Sequence, residues 1–502
     1  MSTIIQEKED LPGPSPSPSP SRTLPKEINL LTLNCWGLLH ISALRRPRLL
    51  EIGRQIALMR PPPDIVCLQE CWSQEDFLAI RHASASALPH AKFYFAGAFG
   101  AGLAILSRWP LEASSMVRYG LNGRPTAFWR GDWYVGKGVA CATVRFGPGE
   151  HDLIEVFNTH THAPYESGPG DSYICHRISQ AWQLSSLLRA AALSGRLTLA
   201  LGDFNMLPRS LQHRIITARA PVRDTWRVLH PDSALGPAAC PDERARRLPI
   251  PSADFNLRAN GATSDTVYNT WRWPKDAQRR LAESPCPVDP ATPDPRGKRL
   301  DYVFASTAAA PSSSSSSSSP RSGWVVKSAH VAMTQRHPDL NVSLSDHFAV
   351  FTTLAYHTTG TGTGTGTDKG TISPLDAQLL SDPSGDHQPL PCALYDEILA
   401  TIISYTARET RQQSLRAFHF YAALLVWIAC LVAVWFSPRN YVAFLLLLVG
   451  SLSLVAGVVD GLLALLFFST ELRALKEFEW EIRNARSLAP EEGLVEKSQK
   501  SL

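Results

Sequence analysis

The sequence predicts an α/β domain followed by two membrane-spanning helices, and three observations support this fold class. Between Ile28 and about Tyr356, short apolar runs alternate with amphipathic stretches, as in α/β domains. Two long apolar runs, 418–436 and 441–468, follow it. Low-complexity tracts separate these parts. The 502 residues are enough for one large domain of roughly 250–300 residues with appendages.

The α/β interpretation depends on a series of short strands. Ile28–Asn34 alternates with period two, Arg48–Met59 has helical spacing, and Asp64–Glu70 is a buried strand that ends in a carboxylate. Further strands are predicted at Leu103–Leu106, Leu153–Phe157, Leu197–Leu201 and Arg299–Phe304. Polar residues recur at the ends of these strands, where α/β enzymes gather their catalytic groups.

Composition sets the remaining boundaries. We expect a disordered Pro/Ser-rich arm at 1–25 that lacks the apolar stretch of a cleaved secretory signal. The α/β domain covers 26–356, with a low-complexity serine insertion at 307–322, and a flexible linker covers 357–392.

Nine cysteines, an odd number without C-x-x-C spacing, indicate free thiols in a reducing compartment. A net charge of only +4 without a basic block gives no indication of nucleic-acid binding.

The C-terminal part predicts a two-pass membrane hairpin. After a juxtamembrane segment at 393–417, the first apolar run would be about 28 Å long as a helix, which matches a bilayer core. The alternative is a pair of buried helices in a soluble core, which two adjacent runs with flanking aromatics make improbable. Arg408, Arg411 and Arg416 precede the hairpin, and basic residues also follow it in the tail at 469–502. The positive-inside rule therefore places both termini and the α/β domain in the cytosol.

Asn34 and Glu70 close the first two predicted strands. An ionised glutamate at the end of an apolar strand is costly unless it is paired or bound to a cation. Mg²⁺ prefers hard oxygen ligands, often one or two carboxylates with water. The sequence therefore predicts a magnesium site at Glu70 with Asn34 near it. Asn34 alone would be interpreted as a turn former.

Asp203 and Asn205 follow the strand Leu197–Leu201 in the segment Gly202-Asp-Phe-Asn205. The glycine permits a sharp exit from the strand. Residues at alternate positions of an extended segment point to the same side, so both side chains would face one site. The alternative is an Asx-rich turn.

Two histidines stand beside possible partners. His347 follows Asp346, and His160 lies in Asn158-Thr-His-Thr-His162 after a strand. A histidine with a pKa near its usual value of about 6.5 suits a general base if a carboxylate fixes its tautomer. Asp301 is the candidate carboxylate for His347.

Taken in order, these motifs resemble the endonuclease/exonuclease/phosphatase superfamily with the DNase-I-like fold, over about Lys26–Tyr356. The resemblance implies a four-layer α/β/β/α sandwich. It implies that His347, oriented by Asp301, activates water, while Asp203 and Asn205 position water and phosphate. His160 and Asn205 would stabilise the non-bridging oxygens, and Asp346 is catalytic or an outer metal contact. Mg²⁺ on Glu70, with Mn²⁺ as a substitute, would neutralise developing charge.

A narrower resemblance is to neutral sphingomyelinases and the fungal inositol phosphosphingolipid phospholipase C. Asn34-Cys-Trp-Gly37, Gly102–Pro110, Asn269-Thr-Trp271 and Gly131–Gly138 carry it. That family has an Asp and a Lys five residues apart that are thought to switch a loop between inactive and active positions. The corresponding regulatory or phosphate-loop residues are Asp132, Gly136, Lys137 and Gly138.

The resemblance implies an enzyme that cleaves membrane sphingophospholipids into ceramide and a phosphorylated head group, with inositol and choline both open. It also implies activation by anionic phospholipids and residence in the endoplasmic reticulum or another internal membrane, mitochondrial membranes included. Two alternatives remain: another DNase-I-like phosphoesterase, such as an inositol polyphosphate phosphatase or a nuclease, and an inactive membrane scaffold.

Overall fold

The computed structural model describes residues 24–150, 152–166, 170–281, 286–306, 321–359, 373–380 and 390–489. The arm at 1–23, most of the serine insertion and the residues after 489 lie outside this part. The strands are β1 (Glu27–Asn34), β2 (Ile65–Gln69), β3 (His90–Tyr94), β4 (Leu103–Ser107), β5 (Leu111–Arg118), β6 (Gly138–Arg145), β7 (Leu153–His160), β8 (Leu197–Asp203), β9 (Arg223–Asp224), β10 (Asp301–Ala305), β11 (Ser322–Ala332) and β12 (Ala349–Thr358).

The described residues also form α-helices. They are α1 (Arg45–Leu58), α2 (Gln74–Ser84), α3 (Asp132–Val135), α4 (Ile174–Leu193), α5 (Leu211–Arg219), α6 (Thr225–Leu229), α7 (Pro241–Arg246), α8 (Ala253–Phe255), α9 (Lys275–Arg280), α10 (Pro374–Leu380), α11 (Cys392–Trp435), α12 (Asn440–Leu462) and α13 (Ser469–Ser487). Single turns of other helix types occupy Phe128–Arg130, Asn256–Asn260, Thr270–Arg272 and Leu463–Phe468.

The strands form two six-stranded sheets. The first has the order β11-β12-β1-β2-β4-β3 and the second the order β5-β6-β7-β8-β10-β9. Among the described strands, the pairs β1–β2 and β7–β8 are parallel and the others are antiparallel. The predicted four-layer sandwich is confirmed, because α1 and α2 cover one outer face and α4 and α5 the other.

Alternation along β1 shows how each sheet is buried on both faces. Leu30 lies in the core between the sheets, whereas Leu31 belongs to the core under α1 and α2. Asn158 ties the two sheets together across the central core. Its amide donates to the carbonyls of Leu68 and Ala104, each at 2.9 Å, so this buried polar group is satisfied.

Two predicted boundaries shift. Helix α1 begins at Arg45, three residues before the predicted start, because Pro47 fits the first turn, where backbone N–H groups lack helical partners. The predicted flexible linker at 357–392 contains α10. Gln378 of α10 exchanges two hydrogen bonds with the backbone of Val326, which pairs this segment with β11.

The juxtamembrane segment and the first apolar run form one continuous helix, α11. Its N-terminal half packs on the second sheet's helical layer together with α13. The buried contacts involve Tyr395, Ile398, Ile402, Leu475, Phe478 and Ile482, which join Trp182 and Leu188 of α4 in one core. The tail predicted at 469–502 is therefore a docked helix as far as Ser487.

The apolar runs of α11 and α12 pack on each other and leave most of their side chains exposed. Both helices are long and apolar enough to cross a membrane, and this exposure does not fit the buried-core alternative. A Cβ atom on Gly457 would lie 2.4 Å from the Cβ of Ala423, so glycine allows the close approach. Asp460 pairs with Arg416 and with His419, at 2.7 Å to the ring nitrogen, on the partner helix.

A buried polar cluster joins α11 and α13 to the α/β domain. The Arg124 guanidinium donates to the Tyr405 hydroxyl at 3.1 Å and lies 3.6 Å from Glu409. The Tyr405 hydroxyl donates to Glu471 at 2.9 Å. Burial raises the pKa of both glutamates to about 7 from the usual 4.5, and the charge of Glu471 adds to the effect on Glu409.

These raised pKa values predict a pH-dependent packing energy. Folding raises the pKa of the Glu471 carboxyl, so the folded protein becomes less stable as pH rises from about 4.5 to about 7. Above pH 7 the full cost of burying the ionised carboxylate remains. Glu471→Gln should therefore increase the unfolding free energy of the detergent-solubilised protein at pH 8 by roughly 1–2 kcal/mol and raise its thermal midpoint. Both increases should be much smaller at pH 5. Glu477 is exposed on the same helix, so Glu477→Gln should leave the thermal midpoint unchanged at both pH values. Equal shifts at both pH values would contradict this account.

Candidate active site

The predicted site residues lie where strands begin or end. Asn34 and His160 are the last residues of β1 and β7, Glu70 follows β2, Asp203 ends β8 and Asp301 begins β10. Each parallel pair brings two strand ends together, and β10 places Asp301 directly opposite Asp203. Since the sheets are stacked, these ends meet at one edge of the sandwich.

Asn34 connects the two sheets at this edge. Its side-chain amide donates to Glu70 Oε1 at 3.2 Å and to Asp203 Oδ2 at 3.0 Å. Its side-chain oxygen accepts the backbone N–H of Trp36 at 3.0 Å, which fixes the orientation of the amide. Asn34 therefore positions the two carboxylates through its N–H groups. In this orientation its oxygen accepts from Trp36, and its predicted place among the metal ligands stays a prediction.

Glu70 has the properties of a cation ligand. Its Oε2 is buried and lacks a hydrogen-bond partner among the described residues. Burial, with the nearby Asp346 charge, raises the pKa of Glu70 to about 7, so an ionised Glu70 needs a compensating charge. The residue has a φ of 51°, a conformation that costs about 1–3 kcal/mol outside glycine. The donor chemistry thus fits a hard divalent cation at Glu70.

His347 and Asp301 form a buried pair. His347 Nδ1 lies 2.8 Å from Asp301 Oδ2 and 3.9 Å from Asp203 Oδ2. Burial alone would lower the pKa of His347, but the charges of Asp301 and Asp203 raise it well above the usual value. A proton on Nδ1 leaves Nε2 available to exchange a proton with water or substrate. The geometry is the one predicted for a general base, which acts in the form that carries no proton on Nε2.

Asp203 and Asn205 come together through a turn. The backbone N–H of Asn205 donates to Asp203 Oδ1 at 3.0 Å, and Asn205 has a φ of 44°. The prediction of an extended segment with alternating side chains is therefore wrong, because β8 ends at Asp203 and the Asx turn follows. Gly202 is required there because a Cβ atom would lie 2.0 Å from the Thr159 carbonyl oxygen.

His160 faces the same group of carboxylates. Its Nε2 lies 3.5 Å from Asp203 Oδ2. Burial, followed by the charge of Lys137, lowers the pKa of His160 to about 3, so the ring is neutral at physiological pH. A neutral imidazole in this place can donate a hydrogen bond to an anionic ligand.

Comparison with known proteins agrees with this geometry. The model of the endonuclease/exonuclease/phosphatase family matches residues 31–347. The inositol phosphosphingolipids phospholipase C of Schizosaccharomyces pombe is 36% identical over 466 residues, which cover 92% of this chain and 95% of that protein. The Saccharomyces cerevisiae protein of the same name is 32% identical and covers 91% and 90%. Sphingomyelin phosphodiesterase 2 of Mus musculus is 32% identical over 37% of this chain and 42% of its own length.

The chain belongs to the neutral sphingomyelinase and inositol phosphosphingolipid phospholipase C family. This family of phosphodiesterases lies within the endonuclease/exonuclease/phosphatase superfamily. Because the match to the two yeast proteins covers more than nine-tenths of the chain, it extends beyond the α/β domain into the apolar helices α11 and α12.

The family's aspartate and lysine are buried beside the site. Asp132 Oδ1 lies 3.7 Å from Lys137 Nζ and 3.4 Å from His162 Nδ1, and the Tyr165 hydroxyl donates to Asp132 at 2.8 Å. Burial alone would raise the pKa of Asp132, but these partners hold it well below its usual range. Lys137 Nζ also donates to the Thr161 carbonyl at 3.0 Å. The pair therefore links the loop to the residue that follows His160.

Gly136 and Gly138 have a packing role in this structure. Gly136 has a φ of 64°, and a Cβ atom there would lie 2.6 Å from the backbone nitrogen of Gly97. On Gly138 a Cβ atom would lie 2.3 Å from the Val117 carbonyl oxygen. Close backbone contact thus accounts for both glycines, whereas their predicted contact with phosphate stays a prediction.

Asp346 lies at the mouth of the site. Its Oδ2 is 3.7 Å from an Arg272 side-chain nitrogen, and Arg272 also pairs with Asp265 at 2.7 Å. Lys298 pairs with the other oxygen of Asp265 at 2.7 Å. Sequence reasoning missed these basic residues although they adjoin the motifs Asn269-Thr-Trp271 and Arg299–Phe304, because only the fold brings their side chains together with Asp265 and Asp346. Together they put two positive charges beside the carboxylates.

Arg48 is a third residue that sequence reasoning missed. Its buried guanidinium donates to the carbonyls of Cys35, Trp36 and Leu344 at distances of 2.7–3.2 Å. It thereby joins the segment after β1 to the segment before His347. Its helical spacing in the sequence indicated only a place on α1.

A second group of carboxylates could also hold a cation. One ligand atom each from Asp203, Asp301 and His347 lie within 4.8 Å of one another. An ion bound through His347 Nδ1 and Asp301 Oδ2 would break the hydrogen bond between these atoms, whereas Asp301 Oδ1 is buried without a hydrogen-bond partner among the described residues and could bind an ion with that bond intact. Glu70 can bind a cation without disturbing the His347–Asp301 pair, which makes it the stronger candidate.

Glu70→Gln should weaken magnesium binding at least tenfold, because the amide keeps the shape but loses the negative charge. Binding is measured as the magnesium-dependent rise in thermal midpoint of the full chain. The control is Glu75→Gln at an exposed position of α2, which should bind like the unmodified protein. If Glu70→Gln bound magnesium normally while Asp203→Asn did not, the cation would belong to the second group.

Proposed function

We propose that the chain hydrolyses sphingophospholipids in a phospholipase C-type reaction that releases ceramide and a phosphorylated head group. The observation that carries the proposal is the buried His347–Asp301 pair beside the carboxylates Glu70 and Asp203. The relatives that match over nine-tenths of the chain are named for inositol phosphosphingolipids. This supports the inositol head group as the first substrate to test. The reaction would serve sphingolipid catabolism and ceramide signalling.

His347 Nε2 takes a proton from water, while Asp301 holds the opposite ring nitrogen and stabilises the imidazolium. The water oxygen forms a bond to phosphorus as the bond to the ceramide oxygen breaks, and the leaving ceramide oxygen takes a proton from solvent to become the alcohol. Asp203 and Asn205 orient the water and the phosphate, and neutral His160 donates to a non-bridging oxygen. Magnesium, or manganese in its place, would be held by Glu70 and would neutralise charge on the phosphate oxygens.

The apolar helices would anchor the enzyme in the membrane that contains its lipid substrate. We propose that they cross an internal membrane, such as that of the endoplasmic reticulum, with the α/β domain and both termini in the cytosol. A lipid substrate is confined to a surface, so anchoring the enzyme in that surface raises the effective concentration. Asp132 and Lys137 are proposed as the regulatory pair whose separation changes the position of the loop after β5.

His347→Ala should lower turnover of labelled inositol phosphosphingolipid by roughly 10²–10⁴-fold, since the general base is lost. His357→Ala is the matched control, because His357 also pairs with an aspartate, Asp376, at 2.8 Å but near the far end of β12. It should keep its turnover. Purified protein with magnesium is assayed with inositol- and choline-labelled lipids. Full activity of His347→Ala would remove the proposed mechanism, and hydrolysis of neither lipid by the unmodified chain would remove the proposed substrate class.

Anionic phospholipids should increase the activity, because basic residues next to the hairpin are drawn to a negative surface. The measurement compares full-length protein in neutral vesicles with protein in vesicles containing phosphatidylserine, at equal substrate density. The increase should shrink as ionic strength rises, since the attraction is screened. Equal activity in both kinds of vesicle would contradict the expected activation.

A further inference from the structure

Four large aromatic side chains are exposed on two adjoining loops. Phe99 is 66% exposed, Phe128 and Trp129 are each 70% exposed, and Trp133 is 38% exposed. We call these four residues the aromatic rim. Aromatic groups of this size are usually buried, and exposed apolar patches commonly mark interaction sites.

The two loops hold each other in place. The backbone N–H of Ala98 donates to the Tyr134 carbonyl at 2.7 Å, and the Phe99 ring stacks on the Tyr134 ring at 5.8 Å. Trp133 packs edge-on against Tyr134 at 5.1 Å. The rim is therefore presented by an ordered surface, which limits the entropy lost when it binds.

One member of the rim touches the membrane hairpin. The Trp133 ring lies 6.3 Å from the ring of Phe467, in an edge-to-face arrangement. Phe467 belongs to the helical turn Leu463–Phe468, at the end of the second apolar run next to the docked helix α13. Trp133 thus lies at the level where the apolar run leaves the bilayer. Tryptophan favours this interfacial zone, because its ring has an apolar body and a polar N–H.

The rim is also joined to the catalytic site. Asp132 precedes Trp133 and contacts His162, which lies two residues after His160. Lys137, at the other end of the loop, donates to the Thr161 carbonyl, and Asn205 donates to the same oxygen at 3.2 Å. One short segment therefore carries the exposed aromatics on its outer side and contacts the site on its inner side.

We propose that the aromatic rim inserts into the interface of the same bilayer that the hairpin crosses. The rim is a second membrane contact that holds the mouth of the site against the lipid surface. The hairpin fixes one point of the domain at the membrane, and Trp133 beside Phe467 brings the rim to that surface. The partner that the rim contacts is therefore the interfacial zone of a phospholipid bilayer. The inference rests on the proposed membrane-spanning hairpin and lipid substrate.

The first experiment maps the contact directly. Benzoylphenylalanine replaces Phe128 in the full chain, which is reconstituted into phosphatidylcholine vesicles that contain phosphatidylserine, and is then irradiated. The control position is Tyr356, an aromatic residue that is 50% exposed near the end of β12 remote from His347. Position 128 should cross-link to phospholipid at least tenfold more than position 356. Equal lipid labelling at both positions, or labelling of protein alone, would overturn the proposal.

The second experiment measures the consequence for activity. Phe128→Ser with Trp129→Ser should lower kcat/KM about tenfold or more for substrate in vesicles. The same variant should hydrolyse a water-soluble short-chain analogue with the same head group within twofold of the unmodified rate. The matched control is Leu24→Ser with Tyr356→Ser, two exposed apolar residues at the remote end, which should change neither rate. Equal losses on both substrates would overturn the proposal, because the segment would then act within the site.

The outcomes separate this inference from the proposed function. If the unmodified chain hydrolysed neither sphingophospholipid but position 128 still labelled lipid, the proposed substrate would fail and the membrane contact would stand. If hydrolysis occurred but vesicle activity of the rim variant matched the control variant, the rim would have no role in membrane contact and the proposed function would remain.

Discussion

The site depends on a single amide group that holds together carboxylates from two sheets. Asn34 donates to Glu70 of the first sheet and to Asp203 of the second. Without a donor between them, the two negative charges would repel across a poorly solvated gap. The amide stabilises both without neutralising either, so the site keeps its negative potential. A hard cation would be a natural partner of that potential, and so would the imidazolium that forms when His347 takes a proton from water, which is why a metal and a base would share the same small volume.

The surrounding structure maintains this arrangement against its electrostatic cost. Ser345 Oγ donates to the Asn34 carbonyl at 2.5 Å, and Arg48 holds the segments on both sides. Glu70 and Asn205 accept left-handed backbone conformations at this edge, although neither is glycine. Strain of this kind persists only where neighbouring contacts overdetermine the backbone. Packing in the core of the sandwich therefore offsets the free-energy cost of the strained backbone and the close charges at the site.

The sequence predicted the strand ends well and the contacts between them poorly. Period-two alternation identified β1, short apolar runs identified β2 and β8, and the polar residue at the end of each strand was recognisable as a site candidate. The sequence could not show that Asn34 presents nitrogen rather than oxygen, because that depends on the backbone N–H of Trp36. Alternation also failed beyond Asp203, since a turn replaced the strand. The positive charges of Arg272 and Lys298 come from loops whose position only the fold determines.

The hairpin was predictable from hydropathy alone, whereas its coupling to the domain was predictable only in part. Helix α11 runs for 44 residues without a break, about 66 Å, so its docked half and its apolar half form one rigid element. The amphipathic spacing of Leu475, Phe478 and Ile482 could have predicted that α13 docks as well. A domain held by two docked helices cannot swing on a flexible tether. If the apolar helices cross a bilayer as proposed, helix packing sets the orientation of the domain toward it, and regulation of activity there would act through local elements such as the loop that carries Asp132 and Trp133.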